Sequence, residues 1–337
     1  MRRFRLIPGL LVVVALFAQG ARADEECKLG LIAELHVAFG PPGSVLLPVT
    51  AGGREAWMIL AMNSGISGVF APTVDALGLH PLELKADART GSHLRKDADV
   101  IKSGRRNLNS YVKFDSLQLG SINLNGFEAI VAEDGPQVLP GFQGRPIIGR
   151  MGSGLFKQFD TELDLAHDTV RIFRANHCSH PPVYWASEFT AVPLTYDVAG
   201  TLTFTINLDG KKIRSSFATE SGRAMLDERA TSRYFGFKPD AADLEHVTMP
   251  GGRSVAVRTM SLSAAGVVVN NARVQLFARP DTLCRLGHVT DGSIAYENCF
   301  NATPFAIGAD ILKKLRLIIG SERSEIYITG ASAEPAG

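Results

Sequence analysis

The chain has 337 residues, of which 45% are hydrophobic and 20% are charged, and its formal net charge is +1 at pH 7. This length accommodates two domains of ordinary size. The near-neutral balance excludes the basic footprint that nucleic-acid binding requires. The most basic stretch, residues 95–106, is interleaved with Asp97 and Asp99, which indicates a solvated loop.

Residues 1–23 have the pattern of a secretory signal peptide. Three arginines within residues 2–5 precede an apolar run at 10–18, and Ala21-Arg22-Ala23 fits a small-x-small cleavage site. The apolar run is too short to span a bilayer comfortably, and an uncleaved anchor is the alternative. We therefore expect a bacterial periplasmic or secreted protein that has no membrane contact after cleavage. The exported chain of 314 residues carries 31 basic and 34 acidic residues, a net charge of about −3.

The exported part contains four cysteines: Cys27, Cys178, Cys284 and Cys299. An even number in an exported chain favours disulfides, and four cysteines allow three pairings. We favour Cys284–Cys299, which closes a short local loop, together with Cys27–Cys178, which ties the mature N-terminus to the end of the first half. A metal site at His177–His180 is the alternative, but no second ligand pair accompanies it. We predict neither a metal nor a cofactor.

The coarse pattern is all-β, because short runs of β-branched and aromatic residues alternate with turn residues. Residues 45–50 and 55–62 form a predicted hairpin. Residues 201–208 and 211–218 form a second one, joined by Asp209-Gly210, which is a strong turn signal.

Two brief helices are predicted after these hairpins. One spans Pro72–Leu79, with a proline near its start, and the other spans Asp227–Phe235 and is stopped by Gly236. Asp75 and Asp227 are carboxylates in these segments. We interpret both as helix-start residues rather than as catalytic acids.

The two hairpins belong to an internal repeat. Trp57–Gly65 and Ile213–Gly222 are each a strand that runs into a turn of small residues. Pro146–Gly149 follows the first and Phe305–Gly308 follows the second. Asn63 and Gly149 are 86 residues apart, Glu220 and Gly308 are 88 apart, and the two turns are about 157 apart. One fold unit is therefore written twice.

The repeat predicts the organisation of the chain. We expect a signal peptide at 1–23, a first unit at 24–180, a second unit at 181–330 and a frayed tail at 331–337. The segment from His177 to Val183, with its two prolines, suits a linker.

Each unit resembles one half of an aspartic protease, most closely the retropepsin-like bacterial type. In that family a strand delivers Asp-Thr-Gly or Asp-Ser-Gly at a turn, and a hydrophobic-hydrophobic-Gly strand passes beneath it. The matching parts here are Asn63-Ser64-Gly65 with Gly149, and Glu220-Ser221-Gly222 with Gly308. The resemblance covers nearly the whole exported chain. It implies two similar β-barrel lobes that face each other across a cleft in one monomeric chain, as in the pepsin-like arrangement.

The resemblance also implies a chemistry from which this chain departs. Two carboxylates at the seam share one proton; the ionised group activates water and the neutral one protonates the scissile carbonyl. Asn63 cannot shuttle a proton, and Glu220 is one methylene longer than aspartate. The hydroxyls of Ser64 and Ser221 are expected to bond backbone across the pseudo-dyad. The expected substrate contacts are at Ser64, Gly65, Ser221, Gly222, Gly149 and Gly308.

The leading functional prediction is therefore a protein that binds an extended peptide or protein segment in its cleft, by β-strand addition, with little or no proteolysis. Candidate flaps over the cleft are residues 89–106 and Thr248–Arg253. Three alternatives stay open. The chain could be a working peptidase with Glu220 as base and Asn63 as hydrogen-bond donor, a structural protein with a filled cleft, or an unrelated β protein in which both are ordinary turn residues.

Overall fold

The computed structural model describes residues 29–83, 110–132, 141–174, 181–197, 200–249, 252, 254–264, 266–278 and 303–332. In this part of the chain two sheets account for most residues and the helices are short, which confirms the all-β prediction. The predicted signal peptide, the four cysteines, the 177–180 segment and the 89–106 flap candidate lie outside the described residues.

We call the described residues up to 174 the first half. Its strands are β1 (Leu31–His36), β2 (Ala38–Gly40), β3 (Ser44–Ala51), β4 (Arg54–Ala61), β5 (Gly68–Phe70), β6 (Leu82–Glu83), β7 (Ser110–Lys113), β8 (Leu117–Leu119), β9 (Ile122–Asn123), β10 (Glu128–Ala132), β11 (Ile147–Gly152), β12 (Phe159–Asp164) and β13 (Thr169–Arg174). Helix α1 is Ala71–Ala76, and two 3₁₀ helices are Ser153–Gln158 and Leu165–His167.

The described residues from 181 onward form the second half. Its strands are β14 (Thr190–Tyr196), β15 (Leu202–Leu208), β16 (Lys211–Ala218), β17 (Ala224–Asp227), β18 (Glu245–Thr248), β19 (Ser254–Ala264), β20 (Val267–Phe277), β21 (Phe305–Gly308), β22 (Leu315–Gly320) and β23 (Glu325–Gly330). Helix α2 is Glu228–Ala230, which continues into a π-helical turn at Thr231–Phe235, and α3 is Ala309–Leu312.

Both predicted hairpins and both predicted helices are confirmed. β3 pairs with β4 and β15 with β16, and the second turn has Asp209 and Gly210 at φ 44° and 74°. Left-handed residues at both central positions match the right-handed twist of the flanking strands. Asp227 caps α2 by accepting from Arg229 N at 2.9 Å. Asp75 is not a helix-start residue, because α1 begins at Ala71 and places it in the last turn.

The strand pairing of the first half recurs in the second. β11 runs parallel to β4 and antiparallel to β5, which is itself parallel to β10. β21 runs parallel to β16 and antiparallel to β17, which is itself parallel to β20. The internal repeat seen in the sequence therefore extends to the hydrogen-bonded topology.

Closure of the sheets differs between the halves. In the second half β15 pairs with both β16 and β19, so that β15, β16, β21, β17, β20 and β19 form a closed barrel. In the first half the described sheet runs β6-β7-β10-β5-β11-β4-β3-β8-β9 as an open half-barrel. Alternate side chains of these strands fill the interior, including Leu47, Met58, Leu60, Phe217, Leu226 and Ile307.

Six strands from both halves form a shared sheet, which we call the platform, in the order β1-β13-β12-β22-β23-β14. The halves join where β12 pairs antiparallel with β22, through Thr161 with Ile319, Glu162 with Ile318 and Leu163 with Leu317. The halves are thus connected by a continuous hydrogen-bond ladder.

The segment that connects the halves packs on the platform. Trp185 is 2% exposed, and its indole donates to Thr329 Oγ1 at 2.9 Å. The Tyr184 hydroxyl donates to Glu162 Oε2 at 2.7 Å. Because Thr329 lies on β23 and Glu162 on β12, this connection holds both halves.

Glu162 is the centre of a buried charge network beneath that connection. Its side chain is fully buried, and Oε1 accepts from Arg171 at 3.0 Å and from Arg316 at 2.8 Å. Burial and the neighbouring carboxylate raise the pKa of Tyr184 to about 12, so its hydroxyl remains a donor at neutral pH. Each of these charges has a partner, as buried charges require.

None of the helices in the described part of the chain has the length and apolar character needed to cross a membrane.

Candidate functional site

The structure brings Asn63 and Glu220 together at the seam between the halves. Asn63 follows β4 and Glu220 follows β16, at matched positions of the repeat. Asn63 Nδ2 donates a hydrogen bond to Glu220 Oε1 at 2.8 Å, across 157 residues of sequence. An amide and a carboxylate therefore meet where the two repeated turns face each other.

A cation approaches the other oxygen of the carboxylate. Arg150 on β11 places a guanidinium nitrogen 3.9 Å from Glu220 Oε2. The side chains of Arg150 and Glu220 are 50% and 27% exposed, so this side of the pair reaches solvent. Asn63 Oδ1 is buried and has no hydrogen-bond partner among the described residues. The site thus combines one anion, one cation and one neutral amide.

The hydroxyls of Ser64 and Ser221 form hydrogen bonds within their own turns. Ser64 Oγ donates to Ile66 O at 2.9 Å and accepts from Ile66 N at 3.2 Å. Ser221 makes the same pair of bonds with Arg223, at 2.9 and 3.2 Å. The expectation that these hydroxyls bond backbone across the pseudo-dyad is wrong, because a short side chain at this position satisfies the nearby backbone first.

Thr219 makes the connection that was expected of the serines. Its fully buried hydroxyl donates to Leu60 O at 2.6 Å and accepts from Met62 N at 3.1 Å. Met62 stands 157 residues before Thr219, at the matched position of the repeat, and has no hydroxyl. At these two matched positions the crossing hydroxyl bond is therefore made by Thr219 alone. Sequence reasoning missed Thr219, although a threonine directly before Glu220 was the available signal.

Gly222 lies against the other half. Gly222 N donates to Pro42 O at 3.2 Å, and a Cβ on Gly43 would lie 2.5 Å from Gly222 Cα. No side chain fits at this approach, and Gly43 also has φ 97°. At the matched place, a Cβ on Gly200 would lie 3.4 Å from Gly65 Cα. Each turn is therefore covered by a loop from the opposite half.

The glycine strands occupy the predicted place beneath the turns, but in a different register. Gly308 pairs with Ala218, and the residue that pairs with Ala61 is Gly152. The backbone amides of the next residues support this register. Ser153 N donates to Ser64 O at 2.7 Å, and Ala309 N donates to Ser221 O at 2.9 Å. The counterpart of Gly308 is thus Gly152, and the prediction of Gly149 was wrong.

Gly149 has a separate packing role. It pairs with Met58 and Val69, and a Cβ there would clash with the carbonyl of Gly68. The residue types of Pro146–Gly149 resemble those of Phe305–Gly308, but the hydrogen-bonded register of β11 and β21 determines which glycines correspond. With Gly152, the spacing from the two turns becomes 89 and 88 residues. Whether any of these glycines or serines contacts a substrate stays a prediction.

Hairpins flank both flap candidates. β18 pairs with β19, and Gly252 N donates to Met249 O at 3.0 Å, so the second candidate is the tip of this hairpin. In the first half β6 pairs with β7 through Leu82 with Tyr111, and the 89–106 candidate falls between these strands. The described residues contain no group of three or more histidine, cysteine or acidic side chains that could hold a metal ion.

Comparison with known proteins gives little more. No protein family matches the chain, and no curated protein does. Among solved structures the chain is similar to basic 7S globulin from soybean, over 91% of this chain and 96% of that chain, with 11% identity and a TM-score of 0.46. A likeness this weak carries no inference about what the chain binds or does.

Proposed function

We propose that this is an exported protein with two aspartic-protease-like lobes, whose cleft binds an extended peptide or protein segment with little or no cleavage. The observation that carries the proposal is the 2.8 Å hydrogen bond between Asn63 and Glu220, which joins the two repeated turns. Only Glu220 of this pair can titrate. The pair therefore lacks the second acid that a shared-proton mechanism needs.

A different assignment of the motif leads to the same conclusion. In the aspartic-protease motif the acid directly precedes the hydroxyl residue. If the hydroxyl residue is the one whose side chain bonds the opposite half, it is Thr219, and the two acid positions are then Ala218 and its counterpart Ala61. Both alanines are fully buried and carry no acid. Neither assignment provides a pair of carboxylates, which supports binding without efficient hydrolysis.

The exposed part of the site supports a binding role. Glu220 and Arg150 reach solvent and offer an acceptor and a donor, the two groups that a peptide backbone needs. The β18–β19 hairpin supplies a candidate cover and an edge strand. A cleft filled by the chain itself is less well supported, because it would bury these two side chains.

The test is exposure of the signal-free protein to a diverse peptide library between about pH 3 and 8, with binding and cleavage scored separately. We expect binding without cleavage, and weaker binding by Glu220→Gln because an amide is a poorer acceptor than a carboxylate. Efficient cleavage that is lost in Glu220→Gln would instead establish the one-base peptidase. If peptides are neither bound nor cleaved at any pH, the cleft has a structural role.

A further inference from the structure

Two lysines reach aromatic rings of the opposite half. Lys157 lies in the 3₁₀ helix after β11, and its Nζ is 4.4 Å from the centroid of the Tyr196 ring on β14. Lys313 follows α3, and its Nζ is 3.3 Å from the centroid of the Phe39 ring on β2. Both distances are within the range of a cation–π contact.

The two contacts are equivalent within the repeat. Lys157 and Lys313 are 156 residues apart, and Phe39 and Tyr196 are 157 apart. The contacts run in opposite directions, one from the first half to the second and one back. A pair of contacts that obeys the internal symmetry is a property of the fold unit and not of one surface.

Each ring begins the loop that covers a turn of the site. Phe39 leads into the loop whose Pro42 carbonyl accepts from Gly222 N at 3.2 Å, two residues after Glu220. Tyr196 leads into the loop from which Thr201 Oγ1 donates to Asn63 O at 3.1 Å. Holding the rings therefore holds both loops against the turns that present Asn63 and Glu220.

We propose that Lys157 and Lys313 are positioning residues, which clamp the two covering loops and thereby set the distance between Asn63 and Glu220. Burial raises the pKa of Tyr196, so its ring stays neutral and remains a good partner for a cation. The proposal concerns the geometry of the pair and does not depend on which ligand the site takes.

The test uses Lys157→Met, Lys313→Met and their combination, with Lys→Arg at each site as the conservative variant. Lys314→Met is the matched control, because Lys314 is also exposed, adjoins Lys313 and has no ring contact among the described residues. The readout is the NMR signal of the Asn63 side-chain amide, which donates directly to Glu220.

We expect the methionine variants to shift the Asn63 amide signals, the combination to shift them further, and the arginine variants to restore the wild-type position. Each lysine should contribute about two- to fivefold to the folding equilibrium constant, as exposed cation–π contacts do. This contribution should vanish for Lys313→Met when Phe39 is already leucine, because the partner ring is gone.

Two results would overturn the proposal. One is that the Asn63 signals of both methionine variants match those of Lys314→Met. The other is that Lys313→Met has the same effect with and without the Phe39 ring. If the combined variant does not fold, the single variants and their arginine counterparts decide the question.

Discussion

The hydroxyl of Thr219 provides a sharp test of the seam. Thr219→Val keeps nearly the same volume but removes the group that bonds Leu60 O at 2.6 Å and Met62 N at 3.1 Å. Both backbone groups would be left without a partner in a fully buried place, since Leu60, Met62 and Thr219 are at most 1% exposed.

The size of the effect follows from these two orphaned groups. A buried donor or acceptor without a partner costs about 1–3 kcal/mol, so the valine variant should lose about 2–6 kcal/mol of unfolding free energy. Thr219→Ser is the control, because it keeps the hydroxyl and loses one methyl group, at a cost of about 1 kcal/mol.

Urea unfolding of the protein without residues 1–23 measures both variants under the same conditions. The valine variant should unfold at clearly lower urea than the serine variant, with an unchanged dependence on denaturant. If Thr219→Val is as stable as Thr219→Ser, the hydroxyl does not hold the halves together and the reasoning fails.

Three further predictions concern buried charge and the site. Glu162→Ala should cost about 1.5–3 kcal/mol in urea unfolding, because the mostly buried Arg171 and Arg316 lose their shared carboxylate but keep Asp164, and Arg171 also keeps Glu34. Burial raises the pKa of Asp310 above its ordinary 3.8, so the contribution of this group to stability is lost as pH rises from below 3.8 through its raised pKa. The stability of Asp310→Asn relative to wild type should therefore increase between pH 4 and 7. A difference that does not change with pH would contradict this. Asn63→Asp should place a second carboxyl beside Glu220 and give two separated apparent pKa values in an NMR titration, whereas independent titration would show that the pair is not in contact.

The sequence was sufficient for the features that repeat locally. Alternating apolar residues and the Asp209-Gly210 turn predict the hairpins, and the strand-to-turn segments that end in Gly65 and Gly222 predict where the halves meet. The contact between Asn63 and Glu220 follows from the matched positions of the two turns. These features depend on short-range pattern, which a single sequence carries.

Long-range pairing decided the features that the sequence could not predict. The register of Gly152 depends on its pairing with β4, whereas the sequence around Gly149 is more similar to the segment that ends in Gly308. The hydrogen bonds of Thr219 to the opposite half could not be predicted from the repeat, because its counterpart, Met62, has no hydroxyl group. Pairing of β12 with β22 joins segments more than 150 residues apart, and no periodicity in the chain specifies it.

The platform limits how the two halves can move. A hinge motion that separates Asn63 from Glu220 would stretch the ladder between β12 and β22 and strain the Glu162 network on the same strand. Backbone hydrogen bonds across three residue pairs make such a swing costly, whereas β6 and β18 are end strands of the described sheets and pair with one neighbour each. If the proposed binding of a chain segment takes place, we therefore expect it to depend on displacement of these end strands, while the platform stays rigid.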